Sequence, residues 1–503
     1  MSQRQVSFQT AFIYTSLTIA IGAGFLLGAH LALPMGFNWN LPEHLPVWIQ
    51  VHGHLQLVGW VGLFIVGVSL YFIPRFLKTP LPYPHLPLWI LCLITTGLIV
   101  RSISEFVIAY SQPSIYSGIA SITLPISALA EWTGIMLYLF LIARMHRVTD
   151  TPSQHFAMVK PFFLMMVSGF FVYESLQLAQ VFFFDVTERL PWNQFSINFF
   201  IAFTLLALPI AFATRTFPLF LQLPPIRFPF QRLGIAYLLA TLVMLLPEIP
   251  GLGVSENTAF VSAATVSQVV RAFLILWIVW ELKLYHKMLL TTDAFLMRYF
   301  EPDYIDAWQK SVTFQRARRG YFDFGEFGRF ELLIYSAFVW LSVYAVFEFT
   351  DGVSTLFSLD VSFGRDPGRH AFLLGFVTLL IMGMGLRMLP GFVQKNGVEY
   401  PKLAIWLAVL GNIAVFLRIV PIALHTTWLG SNETLLEMML YGFGVSGLFA
   451  LSALILFSVT IMTTLQRSGI KDEQMTSVLS ASCECMHQHE RGHRERQVEA
   501  LMC

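Results

Sequence analysis

The chain has 503 residues, 56% of them hydrophobic and only 12% charged, with a formal net charge of +1. A water-soluble globule carries roughly 25% charged residues, so this composition excludes the soluble class and points to a membrane. Near-neutral charge also argues against nucleic acid as a partner and leaves membrane lipid as the expected surroundings.

A membrane-crossing helix needs about 20 mostly apolar residues. Twelve runs qualify, near 11–31, 50–73, 87–109, 120–144, 158–182, 195–218, 232–248, 259–285, 330–349, 370–392, 402–425 and 435–463. The predicted fold is therefore all-α and polytopic. The first run lacks a small-residue cleavage site and reads as a retained helix, not a removed signal. Lys and Arg gather in alternate loops, including Arg75, Arg144, Lys160, Lys283 and Lys402. The opposite loops hold little beyond Arg189, Arg365 and Arg369. The positive-inside rule then puts both termini in the cytoplasm.

Residues 1–465 form the expected membrane domain, with a charged, aromatic loop at about 286–329 that reads as a small cytoplasmic cap. Residues 466–503 read as a polar, disordered tail. Three of the four cysteines, Cys483, Cys485 and Cys503, lie there, and Cys92 sits in an apolar run, so there is no disulfide framework. The tail segment "CECMHQHERGH" alternates Cys and His, donors that suit copper or zinc; a disordered tail with chance ligands is the plainer account.

The second run opens unusually, as "VHGHLQLVGW", with His52 and His54 at its mouth. Laying residue 54 over residue 370 matches ten of 23 positions, among them His54/His370, Gly59/Gly375, Gly67/Gly383 and Pro74/Pro390. After a slip of one residue, Tyr83-Pro84 meets Tyr400-Pro401, Trp89 meets Trp406 and Arg101 meets Arg418. A fainter copy lays residue 54 over Asn198, with Pro74 on Pro218 and Phe76 on Phe220. Helices 2, 6 and 10 thus read as equivalents, which implies three quasi-repeated four-helix units.

A neutral imidazole is the commonest metal ligand, and two from facing helices can clamp a haem iron. His54 and His370, equivalent in the repeat, are the predicted pair, with nitrogens about 4 Å apart, two bonds of roughly 2 Å. Gly59, Gly67, Gly375 and Gly383 either make room for a macrocycle or let helices pack closely. His52 lies about 200° around the helix from His54, so it serves a second metal or faces water. His30, His44 and His425 belong to the same outer side, as copper candidates or plain interface residues. Intramembrane charges are by default functional. Arg101, Arg418 and Arg369 are candidates for pairing with haem propionates; Glu105 and Glu348 are alternative partners for the first two. Glu131, Tyr173, Glu174 and Gln177 form polar spots suited to proton relay, cation binding or buried packing.

Twelve helices, threefold units and a helix-2 His opposite a helix-10 His resemble subunit I of the haem–copper oxidase superfamily, including nitric oxide reductases. The "HGHLQLVGW" opening resembles more closely the NnrS-like branch. That resemblance implies haem b on His54 and His370, copper nearby, a small gaseous ligand such as nitric oxide or oxygen, a bacterial cytoplasmic membrane, and a role in nitric oxide or metal/haem stress. The chain departs from the oxidase pattern at Gly368, where a high-spin haem ligand belongs, at Asn198, where a copper-binding His belongs, and in helix 7, which has no His pair. A divergent oxidase or reductase is the alternative the departures count against. A secondary transporter is a third reading, and predicts a midplane polar site around Glu131 and Glu174.

Overall fold

The computed structural model describes residues 8–77, 79–111, 113–148, 154–184, 186–221, 223, 226, 228–254, 257–285, 325–424 and 433–466. Most of the expected cap, the Cys/His tail and His425 lie outside the described residues. Among the described residues the chain is helical, with twelve helices long and apolar enough to cross a membrane. In chain order they are α1 (Gln9–Phe37), α2 (Leu45–Leu77), α3 (Leu86–Tyr110), α4 (Ile115–Arg147), α5 (Met158–Phe183) and α6 (Arg189–Phe220). Then follow α7 (Phe230–Glu248), α8 (Thr258–Glu281), α9 (Phe330–Phe357), α10 (Arg365–Phe392), α11 (Leu403–Leu424) and α12 (Thr434–Gln466). Every predicted run corresponds to one of them.

The twelve helices form two shells. The most apolar windows of α2, α6 and α10 are 78%, 83% and 78% buried, whereas those of the other nine are 28–50% buried. A helix that is apolar all round must be covered by protein, and one with a lipid face need not be. The three inner helices are the ones the repeat makes equivalent. Packing repeats as well: α3 lies on α4, α7 on α8 and α11 on α12, and the ring closes through α4 on α5, α8 on α9 and α12 on α1.

Each inner helix also carries a π-helical stretch, at Leu55–Gly62, Ile201–Leu205 and Ala371–Thr378. Under the offset that lays residue 54 on 370, the first of these falls on the third. Such stretches are rare and recur at functional sites. Both histidines, His54 and His370, are the last residue before one.

The repeated glycines are packing residues. A Cβ on Gly59 would lie 2.6 Å from Ile19 Cγ2, and one on Gly67 2.6 Å from Phe12 Cβ, both on α1. A Cβ on Gly375 would lie 2.7 Å from Trp340 and one on Gly383 2.9 Å from Ile334, both on α9. The first helix of the first and third units therefore presses directly on the inner one.

Candidate functional site

An α-helix advances about 100° per residue, so side chains two apart on α2 point to nearly opposite sides. His52 and His54 accordingly serve two different spaces between helices, each a cavity defined by the polar side chains that line it. His54 looks toward α3, α4 and α5. Its Nε2 lies 2.8 Å from Glu131 Oε1 and its Nδ1 3.1 Å from the Tyr173 hydroxyl. Arg101 joins the same group. Its Nη2 donates to Gln177 Oε1 at 2.8 Å, its Nε donates to Glu105 at 3.2 Å, and its Nη1 is 3.7 Å from Glu131 Oε2. Gln177 in turn donates to Asn193 Oδ1 at 3.0 Å and to Ser196 Oγ at 3.1 Å on α6. Glu131, Arg101, Glu174 and Gln177 are almost wholly buried.

His52 looks the other way, against α1. Its Nδ1 is 2.9 Å from the Gly24 carbonyl oxygen. A Cβ on Gly28 would lie 2.8 Å from its Cε1, so only glycine admits the ring there. The titratable groups in its electrostatic reach are His370 and Arg418. His370 Nδ1 is 2.9 Å from the Asp366 carbonyl and 3.2 Å from its Oδ1. Arg418 lies 3.5 Å from Asp366 Oδ2 and 4.2 Å over the Phe443 ring.

The third cavity, between α6 and α10, has no imidazole among its described polar groups. Asn198 Nδ2 donates to Glu248 at 2.6 Å and Asn198 Oδ1 accepts from Arg369 at 2.8 Å. Deeper in, Arg271 on α8 pairs with Glu348 on α9 and donates to the Tyr344 hydroxyl at 2.8 Å. Tyr344 donates to Glu348 at 2.5 Å.

A threefold rule emerges. Residues 54, 198 and 370 face one neighbouring cavity, and residues 52, 196 and 368 face the other. Ser196 meets Gln177 in the first cavity, and Gly368 stands against Tyr344, 3.8 Å from where its Cβ would lie. By the same rule His52 shares the cavity of His370. Of the ring nitrogens of His54, Nδ1 is hydrogen-bonded to Tyr173, whereas Nε2 lies at ion-pair distance from Glu131 without a hydrogen bond. Arg101 sits with His54, Arg418 with His370, and Arg369 with Asn198, so the three arginines serve three cavities. Arg101 keeps Glu105 as a partner, whereas Glu348 belongs to Arg271. Sequence reasoning did not find Asp366, Glu248, Arg271 or Tyr344. For Asp366 a signal existed, its i, i+4 spacing from His370.

The two described outer histidines each pack on an aromatic ring. His30 stacks on Trp48 with centroids 5.0 Å apart, and His44 meets Tyr110 edge-on at 4.9 Å. Among the described residues no group of three or more His, Cys, Asp or Glu is placed to hold a metal ion.

No family model matches the chain, and no curated protein does. Solved structures do. A chain from the cryo-EM structure of a haem–copper terminal oxidase dimer superposes with a TM-score of 0.60 at 12% identity, covering 92% of this chain and 85% of that one. The chain thus shares the fold of that oxidase chain. The protein is a multi-pass membrane protein of that architecture.

Proposed function

We propose that this chain is a membrane haem-binding protein in which His52 and His370 hold the iron. The observation that carries the reading is the state of those two rings. Each offers Nδ1 to a backbone carbonyl at 2.9 Å, and Nε2 of each makes no hydrogen bond among the described residues. Nε2 of His54 makes none either, but it lies 2.8 Å from the Glu131 carboxylate, and Nδ1 of that ring meets a side-chain hydroxyl in place of a carbonyl. A ligating histidine is held in this way, with its second nitrogen anchored so that the first is aimed. Arg418 fits the propionates, because its Nε is buried with no hydrogen-bond partner. A bound haem would supply one-electron or gas-ligand chemistry, and the residues here would fix its orientation and exclude water. His54, the ring first expected to meet His370, would instead anchor Glu131.

The oxidase-like fold supports haem and does not by itself supply a reaction. On that scaffold, gas reduction calls for imidazoles in the cavity that holds Asn198, Gly368 and the Arg271–Glu348 pair. We therefore read the chain as an NnrS-type haem protein, with copper as a second cofactor, acting in nitric oxide or metal/haem stress in a bacterial cytoplasmic membrane with both termini inside. A small gas such as nitric oxide or oxygen is the ligand class. One observation favours the transporter reading: Glu131 and Glu174 are buried near the middle of their helices beside a π-helical α2.

The test is the absorption spectrum of protein purified from haem-replete cells. A six-coordinate, low-spin b-type spectrum is expected. A colourless protein overturns the reading.

A further inference from the structure

The cavity between α2 and α6 contains more acids than bases. His54 comes from α2, Arg101 and Glu105 from α3, Glu131 from α4, and Tyr173 and Glu174 from α5. The side of α6 that faces them brings Ser196 and Asn193, which carry no charge. Arg101 lies 3.2 Å from Glu105 and 3.7 Å from Glu131, and His54 lies 2.8 Å from Glu131. The cations are therefore committed to two carboxyl groups. Glu174 is the third, 2% exposed. Its Oε1 makes no hydrogen bond, as neither oxygen of Glu131 does, but unlike Glu131 it has no cation at ion-pair distance among the described residues. An isolated carboxylate in a bilayer interior is far more costly than a carboxylic acid. A lone buried carboxyl group can be neutralised by a proton with no second ligand, so a proton is the cation that suits it.

A polar file leaves Glu174 along its own helix. Gln177 and Gln180 follow at successive steps of three residues, about 4.5 Å each along the axis. Gln180 is 1% exposed, and both of its amide atoms are without a partner. Buried orphan polar atoms in a file are where ordered water is held. The file stops close to Phe183, which ends α5 and is exposed.

The geometry points to Glu174 as a proton-exchange site, which gains and loses one proton to water at the Phe183 end of α5 through the Gln177–Gln180 file. The step balances: the acid releases a proton to a water molecule and leaves a carboxylate, and uptake reverses it. The site deepens the transporter reading and does not depend on haem.

Infrared spectra of the full chain in lipid vesicles, recorded across a pH series, test it. A carboxylic acid C=O band is expected at neutral pH. It should disappear at high pH and return on reacidification. The band should vanish in Glu174→Gln, which is isosteric with the neutral acid, and reappear displaced in Glu174→Asp. Gln180→Leu should keep the band but slow its shift in deuterated buffer tenfold or more. A band absent at every pH, or unchanged in Glu174→Gln, overturns the site; unaltered exchange in Gln180→Leu overturns the route. The haem reading fails on colour alone, and these bands are read with or without haem, so the two failures are distinguishable.

Discussion

Gly28→Ala isolates the haem proposal with a single methyl group. The added Cβ would lie 2.8 Å from His52 Cε1 and 3.4 Å from its Nε2. Ordinary carbon contact needs about 3.5 Å, so the ring must retreat by about 0.7 Å or α1 must move away. Either response strains the Nδ1 contact with the Gly24 carbonyl, now 2.9 Å. Loss of a ligand's outer support typically weakens metal binding 10–100-fold. We expect that loss in a haem titration followed by Soret absorbance, with the low-spin form still reached at saturation. Gly22→Ala is the control on the same helix, since nothing lies within 4 Å of its added Cβ. Equal affinity in Gly28→Ala and the parent would show that His52 is not a ligand.

Other substitutions separate the cavities. His52→Ala and His370→Ala should each abolish the low-spin spectrum, whereas His54→Ala should retain it; the reverse pattern in purified proteins would return the iron to His54. Arg271→Met should destabilise by about 3–5 kcal/mol, the cost of leaving Glu348 buried without its partner, and the double change with Glu348→Met should recover most of that. Losses that simply add in thermal denaturation would mean the pair is not coupled. Gly375→Ala should lower thermal stability, because its Cβ would sit 2.7 Å from Trp340; Gly391→Ala, with nothing within 4 Å, should not. Finally, an oxygen or nitric oxide electrode should detect no sustained turnover, and turnover abolished by Asn198→Ala would overturn our view of the middle cavity.

The span count was legible because bilayer thickness fixes the length of apolar run a helix needs. The threefold plan was legible because His, Gly and Pro recur in register, a coincidence that apolar composition does not produce. Which ring shares a cavity with His370 was not legible from spacing alone. The 200° step from His54 to His52 was visible, but its meaning depends on there being a second cavity behind α2. Applying the repeat to 52, 196 and 368 as well as to 54, 198 and 370 would have exposed it. The Arg271–Glu348 pair joins α8 to α9 across a unit boundary, and no local pattern announces such a contact. The π-helical stretches left no compositional mark either, since they differ from their surroundings only in winding.

That winding has a consequence for how the protein can change over generations. A single-residue deletion inside Leu55–Gly62 would let the stretch relax to ordinary α-helix. A π-helical turn holds about one residue more than an α-helical turn, so the two flanking segments of α2 would keep nearly their present orientation, and His52 and His54 their places. The wide winding is thus slack: each inner helix can give up one residue there without turning the side chains it offers to its neighbours. Three such stretches let the length of one inner helix change while the outer shell and the other two units stay as they are.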